Sequence, residues 1–256
     1  MAPVMLNWVV MVPSSSPTLE IIAWLVGTPG ASQGCLVPGG NGFGDELSQL
    51  AFPTGIVSHP DGSIYVTDYG NNRVVAWTPD SNEGRIVASV GANDDDAEGE
   101  ALQITMDSNG RLFGSSFESA SVYQFLPSGV ALVVAGGKGR GNISDQLGSP
   151  YGMAFDRDGS LLCVAGSMND RVVSWKMGGS HGVVVAGGND AGTGTHQLDL
   201  AQSGIALDFQ RALYISDTGN NRVMKCELGG QDGEVFVGTN GIGYHDPPLT
   251  PIKHES

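Results

Sequence analysis

The sequence predicts an all-β fold, a β-propeller of four-stranded antiparallel blades. A pattern recurs along the 256 residues with a period of about 50 residues, which is typical of propeller blades. Each repeat contains short runs rich in Val, Ile and aromatic residues, separated by Gly, Asp and Asn, as expected of strands joined by tight turns. Helical periodicity is absent over any useful length. Because one such sheet cannot bury both faces alone, we expect neighbouring blades to stack around a shared axis.

The repeat is clearest in the run that joins the second and third predicted strands of a blade. The sequence DYGNNRVVAW at 68–77 recurs as DTGNNRVMKC at 217–226, and more loosely as NDRVVSW at 169–175. A divergent copy, SASVYQF, occupies 119–125. The equivalent positions are therefore predicted to be 73, 121, 171 and 222.

We expect one domain over residues 1–256, built of four complete blades and two partial segments. The complete blades are predicted at 41–91, 92–137, 138–188 and 189–239. Residues 1–40 match the back of a blade, so they are predicted to form a partial N-terminal blade. Residues 240–256 match a stretch that leads into an inner strand, and are predicted to pair with 1–40 and close the ring. The sequence fits about five blades, or a six-bladed ring from which one blade has been truncated.

The pattern P-x-G-I … D-G-x-(I/L)-Y-(V/I)-(S/T)-D-x-G-N-N-R-V resembles the NHL repeat. It occurs at 53–74 and, with Gln202 and Ser203 before the Gly, at 204–223. The resemblance implies a β-propeller, commonly six-bladed, that serves chiefly as a recognition platform.

The Asp-x-Gly-Asn-Asn-Arg element is explained by turn geometry. Gly and Asn tolerate positive φ, and an Asp side chain can accept backbone hydrogen bonds across a tight turn. The arginines are expected to reach a carboxylate or carbonyl of the adjoining blade. A set that recurs around the ring indicates a structural role and not a catalytic one. Its members are Asp68, Asn71, Asn72, Arg73, Arg171, Asp217, Asn220, Asn221 and Arg222.

Strand order predicts that the second-to-third-strand turns and the loops between blades lie on one face, which we call the upper face. Loops on a rigid scaffold commonly carry recognition groups, so we expect this face to bind a protein or peptide. The chain has 27 acidic and 12 basic residues, a net charge of −15, which favours a basic partner and argues against nucleic acid. The predicted binding residues are Phe43, Tyr69, Asp94, Asp95, Asp96, Asp190 and His196.

No catalytic, cofactor or metal site is predicted. The Gly-rich loops at 39–44, 136–141 and 187–192 are not followed by helices, so they are interpreted as blade connectors and not as nucleotide sites. The acidic run at 93–100 lacks the alternating spacing of a calcium loop. In the similar peptidylglycine-amide lyases, inner strands carry metal-binding His where this chain has Gly55, Gln103, Gly152 and Gly204.

The alternative function is that of a metal-dependent hydrolase or lyase resembling the SMP-30 and gluconolactonase propellers. Such a site needs inward-pointing carboxylates in the central channel. The candidates Asp107, Asp156 and Asp208 are instead expected at the far ends of the inner strands, beside the hairpin turns.

The remaining features indicate a buried core and no membrane span. Cys35, Cys163 and Cys226 are predicted to be buried free thiols, and Trp24, Trp77 and Trp175 share one strand position that indicates packing between blades. The apolar runs at 8–12 and 21–26 are shorter than the roughly 20 residues that span a bilayer. We expect a soluble protein, with the cytoplasm favoured, and the sequence does not indicate its oligomeric state.

Overall fold

The computed structural model describes residues 6–13, 19–25, 35–36, 41–79, 81–89, 101–200, 204–230 and 232–238, and of those in 6–36 and 101–102 it describes the backbone only. The strands are β1 (Leu6–Pro13), β2 (Leu19–Leu25), β3 (Cys35–Leu36), β4 (Pro53–Ser58), β5 (Ile64–Asp68), β6 (Arg73–Trp77), β7 (Arg85–Ser89), β8 (Ala101–Met106), β9 (Leu112–Ser116), β10 (Ser121–Phe125), β11 (Ala131–Gly136), β12 (Pro150–Phe155), β13 (Leu161–Gly166), β14 (Arg171–Lys176), β15 (Gly182–Gly187), β16 (Ile205–Leu207), β17 (Ala212–Asp217), β18 (Arg222–Glu227) and β19 (Gly233–Gly238). Two 3-10 turns, Tyr69–Asn71 and Thr218–Asn220, complete the described elements. The predicted all-β propeller fold is confirmed.

The strands from β4 onward form four antiparallel four-stranded sheets, and in each sheet the strands lie in chain order. We number these sheets one to four: β4–β7, β8–β11, β12–β15 and β16–β19. The first strands of successive sheets contact one another, β4 with β8, β8 with β12, and β12 with β16. These contacts place the first strands innermost, as expected of propeller blades. Among the described residues, no helix is long and apolar enough to cross a membrane.

The strand register confirms the predicted equivalence of positions 73, 121, 171 and 222. Each is the first residue of a third strand, and each pairs with the last residue of the second strand. The pairs are Asp68 with Arg73, Ser116 with Ser121, Gly166 with Arg171, and Asp217 with Arg222.

The core lies between neighbouring sheets. Val172 of sheet three and Leu213 and Met224 of sheet four belong to one buried cluster. Trp77 and Trp175 are each 2% exposed. Trp175 belongs to a buried cluster with Phe113 of sheet two, which confirms the predicted packing between blades at that position. The described neighbours of Trp77 all belong to sheet one and its connector, and the side chain of Trp24 is outside the described atoms. Each sheet therefore shields the apolar flank of the next, which is the main source of stability in such a stack.

The two cysteines whose side chains are described are buried and free, as predicted. Burial raises the pKa of Cys163 to about 12 and that of Cys226 to about 11. Both thiols are therefore protonated at neutral pH and are poor nucleophiles.

The N-terminal strands β1–β3 form a three-stranded antiparallel sheet. In this sheet the Val12–Glu20 pair lies four residues beyond the Trp8–Trp24 pair. In sheet one the Asp68–Arg73 pair likewise lies four residues beyond the Ile64–Trp77 pair, so the pairing of β1 with β2 corresponds to that of β5 with β6. In addition, β1 contacts β4 as β5 contacts β8. Thus β1, β2 and β3 match the second, third and fourth strands of a blade. The predicted pairing of this segment with 240–256 falls outside the described residues and stays a prediction.

Candidate binding surface

The upper face brings together the turns and connectors that strand order assigns to it. Asn71 Nδ2 donates a hydrogen bond of 2.9 Å to the carbonyl of Gly44 on the connector that leads into sheet one. In the same way Asn169 bonds to Gly141 (2.5 Å) and Asn220 to Gly192 (2.9 Å). In the three sheets whose connectors are described, each second-to-third-strand turn is therefore attached to the preceding connector.

A buried ion pair forms the centre of this attachment in sheet four. Arg222 Nε donates to Asp217 Oδ2 at 2.6 Å, and both side chains are fully buried. The remaining guanidinium nitrogens donate to the connector carbonyls of Thr193, Gly194 and Gln197. The second carboxylate oxygen, Oδ1, accepts the backbone N–H of Asp199 at 2.7 Å.

Sheet one repeats the same arrangement with Asp68 and Arg73. Arg73 Nε donates to Asp68 Oδ2 at 2.6 Å, and Asp68 Oδ1 accepts the N–H of Ala51 at 2.6 Å. Asn72 and its equivalent Asn221 both have φ of 52°, the left-handed conformation that Asn tolerates. We expected the arginines to reach an adjoining blade, and this was wrong in detail. The carboxylate belongs to the same sheet, directly opposite in register, and the carbonyls belong to the connector that precedes that sheet.

Sheets three and two lack the carboxylate. In sheet three Gly166 stands opposite Arg171. Among the described residues, the guanidinium of Arg171 donates only to connector carbonyls, including those of Asn142 and Gln146. Burial lowers the pKa of Arg171 from its ordinary value. In sheet two a serine cluster replaces the charges, and Ser119 Oγ donates to Ser116 Oγ at 2.7 Å.

The predicted binding residues lie in two separate places. Phe43 is 55% exposed and belongs to the connector to which the Tyr69–Asn71 turn is bonded; Tyr69 itself is half-buried. Asp190 and His196 are exposed on the connector between sheets three and four. The remaining three, Asp94, Asp95 and Asp96, lie outside the described residues.

Phe52 joins Phe43 on this face, although the sequence patterns do not single it out. The two rings meet edge to face with centroids 5.4 Å apart, and Phe52 is 59% exposed. Its φ of 46° lies in the left-handed region, which costs a non-glycine residue on the order of 1–2 kcal/mol. The corresponding residues of sheets three and four, Ser149 and Leu200, are buried. One sequence signal could have identified Phe52: it immediately precedes Pro53, at the position where Ser149 precedes Pro150 in sheet three.

The second place, around His196, is an open cleft of about 450 Å³. It lies between the outer strand β15, the connector that follows β15, and the turn that precedes β19. Val184, Val185, Ala186, Gly187, Asn189, His196, Gly230 and Asp232 line it.

At the opposite end of the sheets, the carboxylates of the alternative hypothesis form hairpin caps. Asp208 Oδ1 accepts the N–H groups of Gln210 and Ala212, and Asp107 and Asp156 accept equivalent bonds. The N–H of Ala212 is the main cause that lowers the pKa of Asp208. His59 follows β4 where these aspartates follow β8, β12 and β16. In the part of the chain that the structure describes, no three His, Cys, Asp or Glu side chains converge as metal ligands would.

Residues 50–77 match the NHL repeat family. The chain contains an NHL repeat. The match covers β4 to β6, including the Asp68–Arg73 ion pair, so the buried pair belongs to the repeat itself. No curated protein matches the chain in sequence.

Solved structures confirm the propeller fold. A chain of a nidogen–laminin complex matches with a TM-score of 0.61 and 18% identity, over 85% of this chain and 72% of that one. Virginiamycin B lyase from Staphylococcus aureus matches with a TM-score of 0.53 and 17% identity, over 78% of this chain and only 59% of the lyase. An auxiliary nutrient binding protein from Bacteroides thetaiotaomicron matches with a TM-score of 0.55 and 13% identity, over 67% and 46%. At these identities the likeness concerns the fold alone.

Proposed function

We propose that this NHL-repeat propeller is a non-enzymatic scaffold that binds a protein or peptide, with basic character, through its upper face. The exposed Phe43–Phe52 pair carries the proposal. Two aromatic rings that pack edge to face and both remain more than half exposed form an apolar patch of the kind found at binding sites. Aromatic residues also dominate the binding energy of known interfaces.

The surrounding charges define the chemistry of the partner. Asp45 and Glu46 are exposed on the connector that carries Phe43. Aromatic faces attract Lys and Arg side chains, and neighbouring carboxylates strengthen that preference. Support for the binding of a protein also comes from one structural relative, which was solved within a nidogen–laminin assembly. The acidic run Asp94, Asp95 and Asp96 belongs to the next connector and is proposed to extend the same surface.

A peptide-display selection against the intact protein tests the proposal. We expect the selected peptides to contain basic residues and to lose at least tenfold in affinity for a Phe43→Ala, Phe52→Gly double variant; glycine accepts the positive φ at position 52. Phe209→Ser is the matched control, because Phe209 is 88% exposed at the opposite end of the sheets. Peptides that bind the double variant as well as the wild type would refute the proposal.

Neutralising the acidic run gives an independent test. Replacing Asp94, Asp95 and Asp96 together by Asn should weaken the selected peptides and reduce the salt dependence of their binding. Unchanged affinity and unchanged salt dependence would remove the acidic loop from the site.

A further inference from the structure

The cleft between sheets three and four has an apolar wall and a polar rim. The wall is formed by Val184, Val185 and Ala186 of β15. The rim is formed by Asn189, His196 and Asp232. A volume of about 450 Å³ lies within the range of small-molecule sites, and polar surface predominates in the lining, which favours a polar ligand.

The polar rim offers hydrogen-bond acceptors. Asn189 Nδ2 donates to the carbonyls of His196 (2.9 Å) and Gly187 (3.4 Å), which fixes the amide orientation and leaves its Oδ1 without a donor among the described residues. Asp232 Oδ1 accepts from Thr195 Oγ1 at 3.3 Å, while its Oδ2 accepts no bond within the described part of the chain. The lining contains neither Lys nor Arg.

We propose that this cleft binds an organic cation, an ammonium or guanidinium group carried on a short apolar stem. The cation would donate to Asn189 Oδ1 and Asp232 Oδ2, and the stem would pack on the valines of β15. A charged hydrogen bond of this kind exceeds a neutral one in strength, which gives the site its preference for a cation. The proposal is independent of the proposed function, because neither Phe43 nor Phe52 lines the cleft, although His196 is one of the residues that the sequence indicates for binding.

Another connector of the same protein shows that a lysine fits at the position of Asn189. The connector between sheets two and three has the same construction, and there Lys138 occupies the position of Asn189. Gln146 Nε2 donates to the carbonyl of Lys138 at 3.0 Å, as Gln197 Nε2 donates to that of Asn189 at 3.0 Å. A lysine is therefore compatible with this backbone, and Asn189→Lys should place a competing cation in the cleft without disturbing the fold.

Titration of the full-length protein with butylguanidinium, followed by NMR, tests the site. We expect shifts confined to β15, Asn189, His196 and Asp232, and at least tenfold weaker binding of butylurea, a neutral molecule of the same shape. Asn189→Lys and Asp232→Asn should each lower the affinity for butylguanidinium at least tenfold, with the melting temperature unchanged for the lysine variant.

Three results would overturn the proposal: no binding, equal binding of butylurea, or undiminished binding by folded Asn189→Lys. Shifts centred on Phe43 and Phe52 would also overturn it while leaving the proposed function intact. A second probe, acetyl-Gly-Arg-Gly-amide, identifies the source of the cation. Tenfold tighter binding than butylguanidinium supports a peptide side chain, and equal or weaker binding supports a free small molecule.

Discussion

Sheets four and three both attach the preceding connector through an arginine, but only sheet four pairs that arginine with a carboxylate. In both, an arginine at the start of the third strand binds the carbonyls of the preceding connector. In sheet four its charge is compensated by Asp217 at 2.6 Å, whereas in sheet three Gly166 stands at that position. The comparison shows that the arginine-to-carbonyl bonds are the part common to the two sheets. The carboxylate adds charge compensation and one further bond to the connector, from the N–H of Asp199.

The largest expected effect is that of Asp217→Ala. The substitution leaves the fully buried guanidinium of Arg222 without a counter-charge, and breaking a buried pair on one side costs about 3–5 kcal/mol of unfolding free energy. Urea denaturation measures it. The exposed Asp190→Asn serves as the control and should change stability by less than about 0.5 kcal/mol, because Asn removes the charge and tolerates the positive φ of 61° at this position. A loss below about 1 kcal/mol for Asp217→Ala would show that the ion pair is not the main interaction that holds the connector on sheet four.

A smaller loss is expected when Arg171 is replaced by Met. Gly166, not a carboxylate, stands opposite Arg171, so the substitution leaves no buried charge without its partner. The loss of the bonds to the connector carbonyls should lower the unfolding free energy by about 1–2 kcal/mol. The matched variant Arg222→Met leaves the buried carboxylate of Asp217 without its counter-charge and should lower the unfolding free energy clearly more in the same urea assay. Equal losses in the two variants would contradict the distinction between the sheets.

Sheet two provides an uncharged version of the comparison. Ser116 Oγ is buried and accepts bonds from the N–H and the hydroxyl of Ser119. Ser116→Ala should therefore cost about 1 kcal/mol, measured by thermal unfolding. A loss as large as that of Asp217→Ala would mean that hydroxyls and charges are equivalent at this position.

The smallest effect concerns the opposite end of the sheets and depends on pH. Hydrogen bonds, chiefly from the N–H of Ala212, lower the pKa of Asp208 from its ordinary value of 3.8. A lowered pKa stabilises the folded protein above pH 3.8, and that stability is lost as the pH falls through the folded-state value. Asp208→Asn should lower the melting temperature at pH 7, and the difference from wild type should shrink by pH 2.5. A difference that does not change with pH would contradict this origin.

The sequence was sufficient for the strands, the register and the upper face. Asp, Gly, Asn and Arg recur at fixed spacing, and their turn conformations depend on local chemistry that a sequence displays directly. The partner of the arginine was harder to predict, because the connector folds back over the sheet that follows it, and this is a tertiary contact. Phe52 was missed because its exposure is also a tertiary property: its equivalent Ser149 has the same left-handed backbone, with φ of 52° against 46°, and is nevertheless buried.

The cleft shows a different limit. His196 could be selected from the sequence as an exposed polar residue, but Asp232 lies 36 residues away in the chain and on another sheet. No spacing rule relates the two, since they meet only because the turn before β19 packs against the connector.

The central claim is that the buried carboxylate and guanidinium hold the connector on the sheet as one unit. A double-mutant cycle on Asp217→Ala and Arg222→Met tests it most directly, with unfolding free energies measured in urea. We predict that the double variant loses less unfolding free energy than the two single variants lose in sum, with a coupling energy of at least about 1.5 kcal/mol. Additive losses, with a coupling energy near zero, would contradict the account.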